Sequence, residues 1–428
     1  MNRKILAAGS IAAVAALALA GCSSSGDSGE AADPDAPVTL SVSAWSIETT
    51  PEFQLLADEF AKTHENVKIE LKEYDPAEYN TLVTADLAAG SGPDIITQKE
   101  VKYVTTFQEG GQLLDVSDVA LPEGIGGASS YEVDGTAYAV PYRQDSWVLF
   151  YNKALFDAAG VEYPDGSWTW DDYATAAEAL TTDASQGAYL HNWQSTVQGF
   201  ANAQTGTDIL EGDFSNLKDY YDNTLALQDA GAQVDFNTAK ANQLTYQGEF
   251  GTQKAAMLLM GTWYTATLIA QQASGEANEF EWGIAPVPQL DASTAGTDNT
   301  PVTFGDPTGF GINANIDEAK ADAAKAFLEF AASEEAAQLL AGIGITPALT
   351  NDAIAETYFG VEGAPVDELS AFSWATHETL PENPTSSKTA AIQGILGDLH
   401  TAVMSGAEPI DAAITTAEER VANEVGLD

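Results

Sequence analysis

Between residues 38 and 97 the chain changes repeatedly from the period of a strand to that of a helix, and this alternation restricts the fold more than any other feature. The stretch VTLSVSAW, residues 38–45, sets apolar and polar side chains alternately, as a half-buried strand does. Thr50-Pro51-Glu52 then offers a cap, a proline for the first helical position and an acid for the first turn, and Phe53, Leu56 and Phe60 follow at helical spacing. A second strand is predicted over 67–71, a helix over 76–89 ending at Gly90, and a short buried strand over 93–97. Such a βαβ opening predicts an open α/β sheet with parallel strands, whose ligands bind beyond the strands' C-terminal ends. Here those ends lie at 45–48, with Trp45 and Glu48, and at 97–99, with Gln98.

Ahead of this region Arg3 and Lys4 precede an apolar segment at 5–19, which Leu19-Ala20-Gly21-Cys22 closes with small residues. Its length is that of an export signal and falls short of the roughly 20 apolar residues of a spanning helix. Leu19-Ala20-Gly21-Cys22 resembles a bacterial lipobox, which implies a signal peptide at 1–21 and acylation of Cys22. The alternative is an ordinary cleaved signal with an incidental cysteine. Cys22 is the single cysteine of the chain, so no intrachain disulfide forms. The polar stretch after it, to residue 37, reads as a flexible tether.

A chain of 428 residues suggests two or three domains. Its 16 basic against 64 acidic side chains give a net charge of −48, which repels nucleic acid and anionic lipid surfaces. The acids are scattered, as on a solvated face. Strand-like segments recur at 187–193, 255–260, 282–288 and 308–314, with helical patterns over 317–333 and from Thr389 onward. No fixed-period repeat is present. Phosphate-binding loops, a nucleophile elbow and a zinc-protease motif are all absent, and His64, His191, His377 and His400 have no ligand-like spacing. No cofactor and no metal are expected. Abundant carboxylates leave a lipid-anchored glycan hydrolase open as an alternative, without a motif to support it.

Five stretches taken in order resemble the extracellular solute-binding lipoproteins of carbohydrate ABC transporters, the family that includes maltose-binding proteins. They are GSGPDIIT (90–97), YAVPYRQDSWVLFYNKALF (138–156), GTQKAAMLLMGTWY (251–264), WGIAPVPQ (282–289) and FGINANIDEAKADAAKAFLEFAAS (310–333). The resemblance implies a two-lobed periplasmic-binding-protein-like fold of type II, each lobe a mainly parallel sheet flanked by helices, with the ligand cleft between them. It places lobe one at 38–144 plus 286–346 and lobe two at 145–285 plus 347–428. It further implies a monomer on the outer side of the cell membrane that captures a sugar or oligosaccharide, passes it to a permease and is not itself an enzyme. A non-sugar solute such as a peptide is the remaining alternative.

The same resemblance nominates residues. Asp145 falls where maltose-binding proteins place a sugar-contacting carboxylate at the interlobe crossover, with Arg143 beside it, although the two also suit a structural ion pair. Gly261 ends an apolar strand and Trp263 opens the next helix beside the cleft, where an indole offers a flat apolar face to sugar C–H groups; Tyr264 stands behind it. A tryptophan buried in a lobe core is the competing reading. Trp45, Trp193 with Gln194, Glu48, Gln98, Asp306 and Trp374 complete the candidates. Gln98-Lys99 departs from the aromatic or acid the family commonly offers there. Asp94 and Tyr151-Asn152-Lys153 read as scaffold.

Overall fold

The computed structural model describes residues 37–48 and 50–426. The export signal, Cys22 and the tether up to residue 36 lie outside them. No helix among the described residues is long and apolar enough to cross a membrane.

The strands are β1 Val38–Ala44, β2 Val67–Glu73, β3 Ile95–Gln98, β4 Glu132–Val133, β5 Thr136–Ala137, β6 Val140–Gln144, β7 Trp147–Asn152, β8 Gln186–Tyr189, β9 Ala255–Gly261, β10 Trp282–Ala285, β11 Val302–Phe304, β12 Pro307–Ile312 and β13 Glu378–Leu380. They form two principal sheets, in the orders β2-β1-β3-β12-β6 and β10-β7-β9-β8, one to each lobe. Leu40, Val42 and Ala44 of β1 are buried, as the alternation requires, and β1 runs parallel to β2 along its whole length. The first helix is Glu52–Thr63, one residue later than Thr50-Pro51-Glu52 suggests, with Pro51 as a cap that supplies no side-chain bond. Its Phe53, Leu56 and Phe60 enter the first core together with Ala324, Phe327, Leu328 and Ala331 of helix Glu318–Ala331. Asp94 accepts from the backbone and hydroxyl of Ser41, each at 2.8 Å, a scaffold role.

Both sheets are mixed rather than mainly parallel. β12 lies antiparallel to β3 and β6, and β7 lies antiparallel to β10 and β9. A parallel neighbour needs a long crossover connection within its own lobe. β6, β7 and β12 instead lie next to segments where the chain passes from one sheet to the other, so their direction follows that passage.

β9 is the centre of the second core. All seven of its residues are buried, and Met257, Leu258, Leu259 and Met260 show no exposed surface. Burying each such side chain contributes about 1.5–3 kcal/mol, which makes this strand a rigid mount for whatever follows Gly261. Val287 and Phe304 also join this core. The chain crosses between sheets at Asp145-Ser146, linking β6 to β7, and at Gly305-Asp306, linking β11 to β12. The two crossovers touch: a Cβ on Gly305 would lie 2.2 Å from the Asp145 carbonyl oxygen, so only glycine allows this approach. A third strand segment lies against them, with Gln144 N–H donating to the Thr346 carbonyl at 3.2 Å and Ala348 N–H to that of Tyr142 at 3.0 Å.

Candidate functional site

At the first crossover, Arg143 donates through Nη1 to Glu52 Oε2 at 2.6 Å and through Nε to Asp145 Oδ2 at 2.5 Å. The Tyr142 hydroxyl donates to Glu52 Oε1 at 3.0 Å, and the Thr262 hydroxyl donates to Asp145 Oδ1 at 2.8 Å. Glu52, Arg143 and Asp145 are all buried, Glu52 completely. Burial pushes the Glu52 carboxyl up, against the opposing pull of the Arg143 guanidinium. Both oxygens of Asp145 are therefore engaged within the protein. The geometry realises the ion-pair reading of Arg143 and Asp145, with Glu52 as a third member that sequence reasoning saw only as a first-turn acid.

Past the ends of the first sheet, Trp45 is half-buried, edge-on to Phe53 and Tyr79 at centroid distances of 4.9 and 5.2 Å. Tyr79 is itself pinned, its hydroxyl donating to the Thr97 carbonyl at 2.8 Å. The Lys99 ammonium lies 5.7 Å from the Trp45 ring centre. Glu48 is exposed. Gln98 is turned inward, 1% exposed, with Nε2 near Gly311. All four residues of β3 are buried, so its last side chain stays inside the packed sheet, which takes Gln98 out of the candidate set.

The second lobe presents an aromatic wall. Trp263, the first residue of helix Trp263–Ser274, folds its indole back over Gly261, where a Cβ would fall 1.8 Å from the ring. The requirement for glycine is therefore steric, set by Trp263 itself. The indole stands edge-on to Trp147 at 5.5 Å and lies beside the Tyr246 hydroxyl. Tyr246 stands edge-on to His191 at 5.4 Å and to Trp193 at 5.8 Å, and His191 meets Trp193 at 4.4 Å. Trp193 remains 40% exposed and Trp263 half-buried, so this wall keeps open aromatic surface. Desolvation pulls the His191 imidazole down to about 4, leaving it neutral across physiological pH.

Two nominated aromatics belong elsewhere. Tyr264 has no exposed surface and packs against Phe150 at 5.3 Å and Phe250 at 6.2 Å; one step along a helix turns it about 100° away from Trp263 and into the core. Trp374 is 5% exposed, lies 4.9 Å from Tyr358 and donates its N–H to the Thr346 hydroxyl at 3.1 Å. Gln194 ties helix Ser195–Thr205 to helix Thr389–Met404, its Nε2 donating to the Gln393 carbonyl at 3.2 Å. Tyr246 and His191 are the wall residues sequence reasoning missed. His191 stands two residues before Trp193, a spacing that sets both on one side of the chain as it leaves β8, whereas nothing in the stretch around Tyr246 marks it.

Asp306, at the second crossover, accepts from the N–H groups of Glu382 at 2.9 Å and Asn383 at 3.2 Å. It holds the segment after β13 against the first lobe, where the Thr105 hydroxyl donates to the Ser386 carbonyl at 3.0 Å and that of Thr385 to the Ser130 carbonyl at 2.9 Å. Burial, and then the neighbouring Asp306 charge, raise Glu382, while a hydrogen bond from Ser195 and the Lys102 ammonium oppose the rise. Among the described residues no group of three or more His, Cys, Asp or Glu side chains is arranged to hold a metal ion.

A family model for bacterial extracellular solute-binding proteins matches residues 44–338. The diacetylchitobiose binding protein DasA of Streptomyces coelicolor is 27% identical over 442 residues, covering 96% of this chain and 96% of its own. A sugar transporter of Rhizobium etli, solved in an open conformation, superposes with a TM-score of 0.77 at 30% identity, over 90% of this chain and 99% of that one. The ABC substrate-binding protein of Listeria monocytogenes solved with cycloalternan shares the fold, with a TM-score of 0.75 at 21% identity over 92% of this chain and 100% of that one.

Proposed function

Because the chain belongs to the bacterial extracellular solute-binding proteins, we propose that it captures a sugar or oligosaccharide between its two lobes and delivers it to the membrane permease of an ABC importer. The observation that carries this reading is the second-lobe wall of His191, Trp193, Tyr246 and Trp263, which keeps aromatic surface open at the ends of buried strands. Pyranose C–H faces pack on such planes, and the ring edges add N–H and O–H donors for hydroxyls. Trp45 is the counterpart on the first lobe. The ligand of DasA and the cycloalternan of the Listeria protein are both carbohydrates, which supports the same class here. A net charge of −48 favours a neutral solute over an anionic one.

In this reading the lobes are 38–144 with the return segment from β12 to about residue 346, and 145–304 with 347–428, and ligand contacts to both favour closure. Cys22 carries the lipid that holds a monomer on the outer face of the membrane. The protein binds without cleaving, since Glu52 and Asp145 are committed to Arg143, and Asp306 to the backbone of residues 382 and 383.

Calorimetric titration with neutral oligosaccharides, including diacetylchitobiose and maltotriose, followed by chromatography of the recovered sugar, tests this. Tight binding with intact sugar is expected. Recovery of shortened products would support the hydrolase instead, and saturable binding of peptides with none of sugars would overturn the carbohydrate reading.

A further inference from the structure

We propose that Glu52 is a positioning residue for the Trp263 platform, acting across the hinge through Arg143, Asp145 and Thr262. The links are continuous and buried. Glu52 opens a helix of the first lobe and takes Arg143 Nη1 at 2.6 Å; Arg143 Nε reaches Asp145 Oδ2; Asp145 Oδ1 takes the Thr262 hydroxyl at 2.8 Å. Thr262 is also tied to the crossover through its backbone, its N–H donating to the Ser146 carbonyl at 2.9 Å. Thr262 is the residue between Gly261 and Trp263, so its orientation sets the direction in which the indole leaves the turn.

The charge count explains why Glu52 belongs to the chain of contacts. Arg143 shares its guanidinium between two carboxylates, and each holds one edge of a planar fork whose geometry is rigid. If Glu52 is neutralised, Arg143 has one ionic partner, Asp145, and swings toward it. Asp145 then meets Thr262 in a different orientation. The helix N-terminus and the Tyr142 hydroxyl, at 3.0 Å, hold Glu52 itself in place. Glu52 is wholly buried, so it acts on the ligand only through this strut.

The consequence for binding rests on the reading of Trp263 as a ligand platform; the strut itself does not, and the decisive measurement is made without ligand. The protein is labelled with 5-fluorotryptophan, and the Trp263 and Trp147 fluorine resonances are assigned by Trp263→Phe and Trp147→Phe. In Glu52→Gln the Trp263 resonance is expected to shift or broaden, while those of Trp168 and Trp282 stay fixed. Thr262→Val cuts the strut from the other end, keeps the shape of the side chain and is expected to move the same resonance; if Glu52→Gln does not fold, Glu52→Asp, which keeps the charge but shortens its reach to Arg143, is read in its place by the same criterion. An unchanged Trp263 resonance in the folded variant overturns the proposal, since a merely structural Glu52 lowers the melting temperature without moving that one indole. In a second arm, an oligosaccharide that binds the parent protein should bind Glu52→Gln about threefold to tenfold more weakly, with Glu52→Gln/Thr262→Val no weaker than the worse single variant. A moved resonance with unchanged affinity would keep the strut and reject Trp263 as platform.

Discussion

The two ends of the sequence run from Asp145 to Trp263 meet at the first crossover but are used in opposite ways. Asp145 is 6% exposed and both its oxygens are occupied by Arg143 and Thr262, whereas Trp263 and Trp193 are packed against neighbouring rings yet keep part of their surface open. A carboxylate at a crossover has the chemistry to hold a sugar hydroxyl, yet here both of its oxygens are already engaged by the hinge. The aromatic wall is the reverse case: its rings pack edge to face against one another, and in the proposed reading the surface they leave open is what a ligand meets. Residue type alone does not distinguish structural from recognition duty. What remains unsatisfied after folding does.

The largest effect expected from that contrast is Arg143→Met. It strands Glu52 and Asp145 as uncompensated buried charges, and breaking a buried ion pair costs about 3–5 kcal/mol, to be read from urea unfolding. A melting temperature equal to the parent's would show that water reaches this hinge.

Next, the neighbours Tyr264 and Trp263 separate core from wall. Tyr264→Ala should lose about 3–5 kcal/mol of stability with little change in the affinity of the folded fraction. Trp263→Ala should instead lose about 2 kcal/mol of ligand binding, roughly thirtyfold in dissociation constant, with the smaller stability loss. Equal profiles for the two variants would erase the distinction.

Trp193 lies at the exposed end of the wall, so Trp193→Ala should weaken a bound oligosaccharide by only about 1 kcal/mol, near fivefold. A short ligand that does not reach this ring should be unaffected, and comparing a disaccharide with a trisaccharide by titration measures that reach.

The last effect is on pH dependence. The folded state raises Glu382 to about 7, above the ordinary carboxylate range, so the native protein binds the proton more readily than the unfolded chain. Stability from this group is therefore present at and below the ordinary glutamate value and is lost as pH rises through about 7. Glu382→Gln should flatten the slope of unfolding midpoint against pH between 5 and 8, and an unaltered slope would place the titration elsewhere.

How far the sequence could be read follows the range of the interactions involved. β1, the helix Glu318–Ala331 and the helix starting at Thr389 were legible because their periodicity is local. The parallel assumption failed for β7 and β12, whose direction is set by chain passages between sheets and carries no local mark. The close approach of Trp263 to Gly261 was legible because glycine before an aromatic is a local signal, and here the ring covers the glycine. Tyr264 was misplaced because adjacency in sequence hides a turn of about 100°. Glu52, ninety-one positions before Arg143, and Tyr246, reached through the fold of the second lobe, have partners that only the tertiary structure brings together.

The contact between Gly305 and the Asp145 carbonyl has a mechanical meaning. Two chain passages lying side by side with no side chain between them leave room to bend about an axis across both, whereas twisting would force the backbones into each other, and sliding would break the hydrogen bonds that join Tyr142 and Gln144 to Ala348 and Thr346 of the third passage. At these passages the static geometry thus favours bending over twisting or sliding, and bending is the motion that would change the distance between the Trp45 and Trp263 rings.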